Sequence, residues 1–341
     1  MMKYLKPIIL LLLTLSCEYT FGQAKKYILV LAKAEKKMLV LDYTTLNKIA
    51  AIPVGDDPHE VVTTPDGALA YVSVPVMNNH GHEIDVLDLK TLQPLKVIDT
   101  RPFYIPHGLV YQPGKLWFTA QGSKSVAVDN TTTDKIEQVF GTGQDFTHLL
   151  SVSKSGKRFY TTNVESGTLS IYEQKTLPPY LPPTGVLPAN AKPRTEWRQT
   201  LVPVGVGAEG FDIDKEEHEL WTARPDGKIV VVDLNQQKIK KTIDTHVTGL
   251  HRLKITPDEK TVCVVSVKTG ELLYYNKKSY QLEQKEHVGQ GAGIFMDAAS
   301  NRMFISCTPN NYVSVIDLIS RKVIQKLEVG RPDGITAVEV F

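Results

Sequence analysis

The sequence predicts an all-β fold, a seven-bladed β-propeller of four-stranded blades, and three observations carry the prediction. First, a phrase recurs. VGDDPHEVVTTPDGALAYVSV at 54–74 is followed by IPHGLVYQPGKLWFTA (105–120), FTHLLSVSKSGKRFYTT (146–162) and GAEGFDIDKEEHELWTA (207–223). GLHRLKITPDEKTVCVVS (249–266) and GAGIFMDAASNRMFISC (291–307) continue the series, and PDGITAVEVF (332–341) ends the chain. Second, the residue after the Pro58-type position defines a column: His59, His107, His148, Glu209, His251, Ala292 and Asp333. Its intervals are 48, 41, 61, 42, 41 and 41, a base period of 41–42 with two insertions. A unit of that length with four short strands is a propeller blade. Third, no helical periodicity competes with the strand-like runs beyond the N-terminal segment.

Each element of the unit has a local reason. A β-branched run, a tight turn such as TPDG at 64–67 and a second run make the first hairpin. The third run ends in an aspartate in MLVLDYTT, IDVLDLKT, VAVDNTTT, IVVVDLNQ and VSVIDLIS. Asp42, Asp88, Asp129, Asp233 and Asp317 are therefore expected to open tight turns, a short carboxylate accepting from backbone N–H groups two residues on. A fourth run such as KVIDT follows. Six full units span about 54–327. The segment 332–341 supplies only a first strand and 26–52 only the other three, so the two are expected to join as a seventh blade. That join removes the open edge of a circular array.

The N-terminus reads as a targeting segment over 1–22. Lys3 and Lys6 precede an apolar core at 7–15, PIILLLLTL, too short to span a membrane. Cleavage before Gln23 would leave a single propeller domain over 23–341. Alternatively, Leu15-Ser16-Cys17 resembles a lipoprotein box with Cys17 as the lipid carrier. Either way the chain is expected to be exported, to a bacterial periplasm or cell surface, with no transmembrane span in the mature chain. Cys263 and Cys307 remain as buried thiols in strands, pointing to opposite faces of equivalent sheets. A net charge of +2 and the lack of a basic patch interleaved with aromatics give no reason to expect nucleic acid.

VGDDPHEVVTTPDGALAYVS…IDVLDLKT is similar to the YVTN-type propeller repeat, and the similarity extends over 25–341. Blades three to five depart from it, with SKSG, DKEE and TPDE in place of TPDG. The resemblance implies a seven-bladed exported propeller. It leaves function open among surface-layer-like proteins, lactonase-like enzymes and binders.

The column carries the functional expectation. First strands begin at the mouth of the central channel, so His59, His107, His148, Glu209, His251 and Asp333 share one face. His80 and His82, in the two-three turn of the longest early blade, and His246 and His287, ahead of first strands, belong to the same face. Only His218 falls on the other. Imidazoles with carboxylates suggest a divalent metal, zinc or copper rather than an oxygen-preferring ion, or a polar small-molecule ligand. Rim packing against water or backbone is the plain alternative.

Tyr71, Tyr160, Trp221, Cys263 and Phe304, twelve residues after the column, read as core between blades. The Pro-rich insertion 176–197 lies in a three-four turn, away from the histidines, where it could dock a protein partner. No haem, nucleophile-elbow, phosphate-loop or zinc-helix motif is present. The leading expectation is an exported binding protein with a His-rich ligand or metal site at the channel mouth. A metal-assisted lactonase-like hydrolase and a cell-surface scaffold are the alternatives.

Overall fold

A computed structural model describes residues 24–341 and arranges them as seven four-stranded antiparallel sheets. The segment expected to be a targeting sequence, 1–22, with Cys17 in it, lies outside the described residues. Blade 1 runs Val61–Thr63, Leu69–Val74, Glu83–Asp88 and Gln93–Asp99, from the channel outward. The next five blades repeat that order along the chain. Blade 7 is composite: Pro332–Val340 is its inner strand and pairs with Lys25–Ala32, followed by Lys37–Asp42 and Lys48–Pro53. The expected join of the two termini is thus present, with Tyr27 opposite Val338.

Blades pack face to face through the alternating side chains of their middle strands. Tyr71, Tyr160, Trp221, Cys263 and Phe304 are all buried there, as their spacing predicted. Each side chain of this size contributes roughly 1.5–3 kcal/mol by leaving water. Blade 2 supplies Trp117 at the same register, opposite Val110 as Tyr160 is opposite Ser151. Its first hairpin is two residues shorter, which hides Trp117 from a fixed spacing. Between blades 2 and 3, Trp117, Phe140, Phe159, Tyr172 and Trp197 form an aromatic cluster, with Phe159 and Tyr172 stacked at 4.4 Å. Cys263 and Cys307 are buried free thiols in one cluster at the interface of blades 5 and 6, facing it from opposite sides.

The turn aspartates act as expected in four blades. Asp42 Oδ1 accepts from the N–H groups of Thr44 and Thr45, and Asp88 and Asp233 do the same two and three residues on. Asp317 accepts from Ser320. Asp129 is a correction. Asn130 ends the third strand of blade 2 and caps the turn, accepting from Thr132 and Thr133. Asp129 stands one residue earlier, fully buried, and neither carboxylate oxygen has a partner. In the dipeptide Asp-Asn either residue can cap, and the strand register decides.

First strands begin at the upper face and end at the lower one. The upper face therefore carries the column and the two-three turns; the lower carries the one-two and three-four turns, Ala24 and Phe341. No helix among the described residues is long and apolar enough to cross a membrane.

Candidate functional site at the channel mouth

The column converges because of a backbone device. In blades 2, 3, 5 and 7 the ladder between first and second strands shifts register across the column residue and its successor: His107-Gly108, His148-Leu149, His251-Arg252 and Asp333-Gly334. Two residues thus oppose one, a bulge that bends the strand and re-aims its side chains. Hydroxyls on the second strands then hold the column residues of the next blade. Thr119 donates to the His148 carbonyl, Thr162 to that of Glu209 and Ser306 to that of Asp333.

Glycine at the second bulge position lets neighbouring blades close in. A Cβ on Gly108, Gly210 or Gly334 would fall within 2.7 Å of the carbonyl oxygen of His148, His251 or His59. The channel is consequently narrow at this level, and the imidazoles touch rather than line a wide solvated rim. His107 is 1% exposed and His148 5%.

One half of the mouth centres on Glu209. His148 Nε2 lies 3.0 Å from Glu209 Oε1, and His251 Nε2 lies 3.2 Å from Oε2. The far nitrogens of both rings also face oxygen: His148 Nδ1 is 2.9 Å from Gln121 Oε1, and His251 Nδ1 is 3.0 Å from the Ala292 carbonyl. The Gln121 amide is oriented by its NH2 group, which donates to Met77 Sδ. Burial works against a charge on Glu209, but His251 and His148 outweigh it and hold the carboxyl well below its ordinary range. Burial likewise opposes protonation of His251, yet Glu209 raises it; for His148 burial prevails and lowers it.

The other half centres on Lys33, which immediately follows the second strand of blade 7. Its ammonium is 2.7 Å from His59 Nε2, 3.0 Å from Asp333 Oδ2 and 3.1 Å from Asp57 Oδ1. His59 Nε2 also lies 3.0 Å from Asp57 Oδ2, a bond that, ahead of the charges of His59 and Lys33, lowers the Asp57 carboxyl. His59 Nδ1 is 2.8 Å from His107 Nε2. His107 joins the halves, its ring centroid 3.9 Å from that of His148. Its Nδ1 is buried without a partner. Burial first, then His148 and His59, keep this ring neutral.

Below the histidines, Arg252 from blade 5 reaches across the axis to Glu60 of blade 1, Nη2 to Oε1 at 2.9 Å, and stands 3.7 Å from Glu209. Beneath this pair the channel continues as a cavity of about 240 Å3 lined by Ser151, Asp212 and Lys254 among others. The mouth is therefore a cup with an ion-pair floor.

Of the residues expected from sequence, His59, His107, His148, Glu209, His251 and Asp333 come together. His80 and His82 remain on the upper face but away from the axis, edge-on to Tyr104 at 6.2 and 6.3 Å. His246 and His287 are exposed at the outer rim, and His218 lies on the lower face. Lys33, Gln121, Asp57, Glu60 and Arg252 are site residues outside the column. His148 and His251 meet on Glu209, but as the side chains stand, no group of three or more His, Cys, Asp or Glu among the described residues is placed to hold a metal ion.

No protein-family model matches the chain, and no curated protein matches it in sequence. Solved structures match its fold. A candidate 6-phosphogluconolactonase from Bacteroides uniformis is 14% identical with a TM-score of 0.71, over 93% of this chain and 100% of that one. A second, from Bacteroides fragilis, is 12% identical with a TM-score of 0.69, over 94% and 99%. Apo AztD from Citrobacter koseri is 14% identical with a TM-score of 0.63, over 93% and 98%. At such identities the likeness is one of fold: the chain is a seven-bladed propeller with lactonase-like structural neighbours.

Proposed function

We propose that this chain is an exported YVTN-type propeller that binds a divalent transition metal ion at its channel mouth, through His148 Nε2, His251 Nε2 and the Glu209 carboxylate. One observation carries the reading: both imidazoles are trapped between two acceptors. His251 Nδ1 faces a backbone carbonyl and so carries a proton, and His148 Nδ1 does the same with Gln121 Oε1 turned toward it. A neutral ring then points its Nε2 lone pair at a carboxylate oxygen, which also only accepts. That contact is stable only with a cation between them, a proton on each ring or one metal ion for the pair. An imidazole whose distal N–H donates to an oxygen is the usual supporting arrangement of a metal ligand.

Formal charge agrees. Asp57, Glu60, Glu209 and Asp333 face Lys33 and Arg252, so the cup is two positive charges short, to be supplied by protons on the histidines, His251 first, or by a metal ion. Both side-chain cations are already paired with carboxylates, which favours a cationic ligand over an anionic one. Two imidazoles and a carboxylate suit zinc or copper, with a position left open for a small molecule. Lactonase-like hydrolysis would use that open position and need a neutral base. The neutral ring at hand, His107, has its free Nδ1 sealed from solvent, which favours binding over turnover.

The test is calorimetric titration of untagged, chelator-stripped protein with Zn2+ and Cu2+. About one equivalent should bind, and His148→Ala or His251→Ala should each weaken it by at least roughly a hundredfold. Unchanged binding in both variants would overturn the assignment. Chelator-sensitive hydrolysis of a sugar lactone would move the same centre from binding to catalysis.

A further inference from the structure

The third and fourth strands of blade 3 are the longest hairpin arms in the protein, Thr168–Leu177 and Arg194–Pro203. They carry the Pro-rich insertion off the lower face, opposite the histidines. Its root is rigid: Trp197 packs against Phe140 at 5.0 Å and Phe159 at 5.5 Å, and Arg194 donates to the Pro178 carbonyl beneath Tyr180. Its tip is a turn closed by Gly185 N–H to Pro182 carbonyl. Tyr180, Leu181, Val186 and Leu187 stand around that turn, 45–70% exposed.

Four large apolar side chains grouped on one solvent-facing tip form the kind of patch that marks an interaction surface. Charge indicates the partner. Exposed Lys154, Lys157, Lys175, Lys192 and Arg198 lie around the hairpin; Lys175 pairs with Glu173 and Arg198 with Glu196, and Glu217 stands near Lys157, leaving three lysines outside any ion pair among the described residues. Apolar anchors ringed by cations are the composition of an anionic lipid contact. Two further features agree. Ile319 and Phe341, 78% and 70% exposed, lie on the same lower face. The described chain also begins on that face, at Ala24.

We infer that the 178–193 hairpin is a membrane-contact element. It seats Leu181, Val186 and Leu187 in an anionic lipid surface and turns the histidine cup away from the bilayer.

The experiment is vesicle co-sedimentation with a chain starting at Gln23, which lacks Cys17 and any lipid on it yet keeps every strand of the closed ring. It should sediment with phosphatidylethanolamine–phosphatidylglycerol vesicles, far less with phosphatidylcholine, and less as salt screens the cations. The triple variant Leu181→Ser, Val186→Ser, Leu187→Ser should lose about tenfold or more in vesicle affinity while keeping its melting temperature, since all three side chains are exposed. Equal sedimentation of variant and parent, or none of either, would overturn the inference. So would a crosslinked protein adduct lost in the variant while vesicles go unbound, which would make the tip a protein-docking site.

Discussion

The two halves of the cup answer the same electrostatic problem with different cations. On the Lys33 side, two carboxylates and an imidazole close on an ammonium that the fold supplies, within 3.1 Å of all three. On the Glu209 side, one carboxylate and two imidazoles close on no side-chain cation, with Arg252 held off at 3.7 Å by its bond to Glu60. The first half holds a cation that the chain itself supplies, and the second is the half proposed to take its cation from solution. On that proposal, ligand-type residues mark a metal site only where the chain has not already placed its own charge.

The most severe way to break this contrast is Lys33→Met. It leaves Asp57 and Asp333 facing His59 with nothing between them, in a region where the lysine is only 6% exposed. Removing one partner from a buried ion pair costs roughly 3–5 kcal/mol, so metal-free protein should unfold at markedly lower denaturant. If the halves are equivalent constellations, zinc should restore much of that loss, and stoichiometry should rise from about one to about two. A destabilised variant indifferent to zinc would show that the resemblance between the halves is only formal.

A third buried carboxylate extends the comparison to the case with no cation at all. Asp129 has neither ion nor hydrogen bond, and burial, then Asp134, push its carboxyl up to about 6. In the unfolded chain it titrates near 3.9. The native state therefore binds this proton more tightly, and the associated stability is complete below about pH 4 and lost as pH rises through 6. A gap of about two units corresponds to at most ~3 kcal/mol, and local relaxation reduces it. Denaturant unfolding between pH 4 and 7 should show Asp129→Asn gaining on the parent as pH rises. Parallel pH profiles would mean that the carboxylate finds a partner in solution.

The part of this picture legible in the sequence is the part that repeats. Seven blades, the composite seventh blade and the seven-residue column all follow from periodicity, because a repeated fold puts equivalent residues at equivalent places. What escaped is what breaks the repeat. Lys33 and Gln121 follow second strands, where other blades carry Pro75 or Val164, so no column announces them. Glu60 and Arg252 occupy the second bulge position, which is glycine in four blades: Gly108, Gly210, Gly293 and Gly334. Reading one column further would have shown two opposite charges in a glycine ring, although not that they meet. The distinction between a touching cluster and a solvated rim was also beyond spacing. It depends on how closely those glycines let the blades approach, which is a matter of backbone bulges.

That glycine ring supplies the finest adjustment. Glu60 holds the Arg252 guanidinium at 2.9 Å, closer than the 3.7 Å at which the same Nη2 meets Glu209. Glu60→Gln keeps the side chain's size and removes its charge, so Arg252 should shift the 3.7 Å toward Glu209 and compete for the carboxylate. Zinc affinity is then expected to fall about tenfold, near 1.4 kcal/mol, with stoichiometry unchanged and little loss of stability. Arg252→Met made alongside it should restore the affinity, because the competing charge is gone. If Glu60→Gln binds zinc like the parent, Arg252 does not sense Glu209, and the floor of the cup only closes the channel. If the double variant fails to recover, the ion pair shapes the bulge at His251 rather than setting the charge that an entering metal meets.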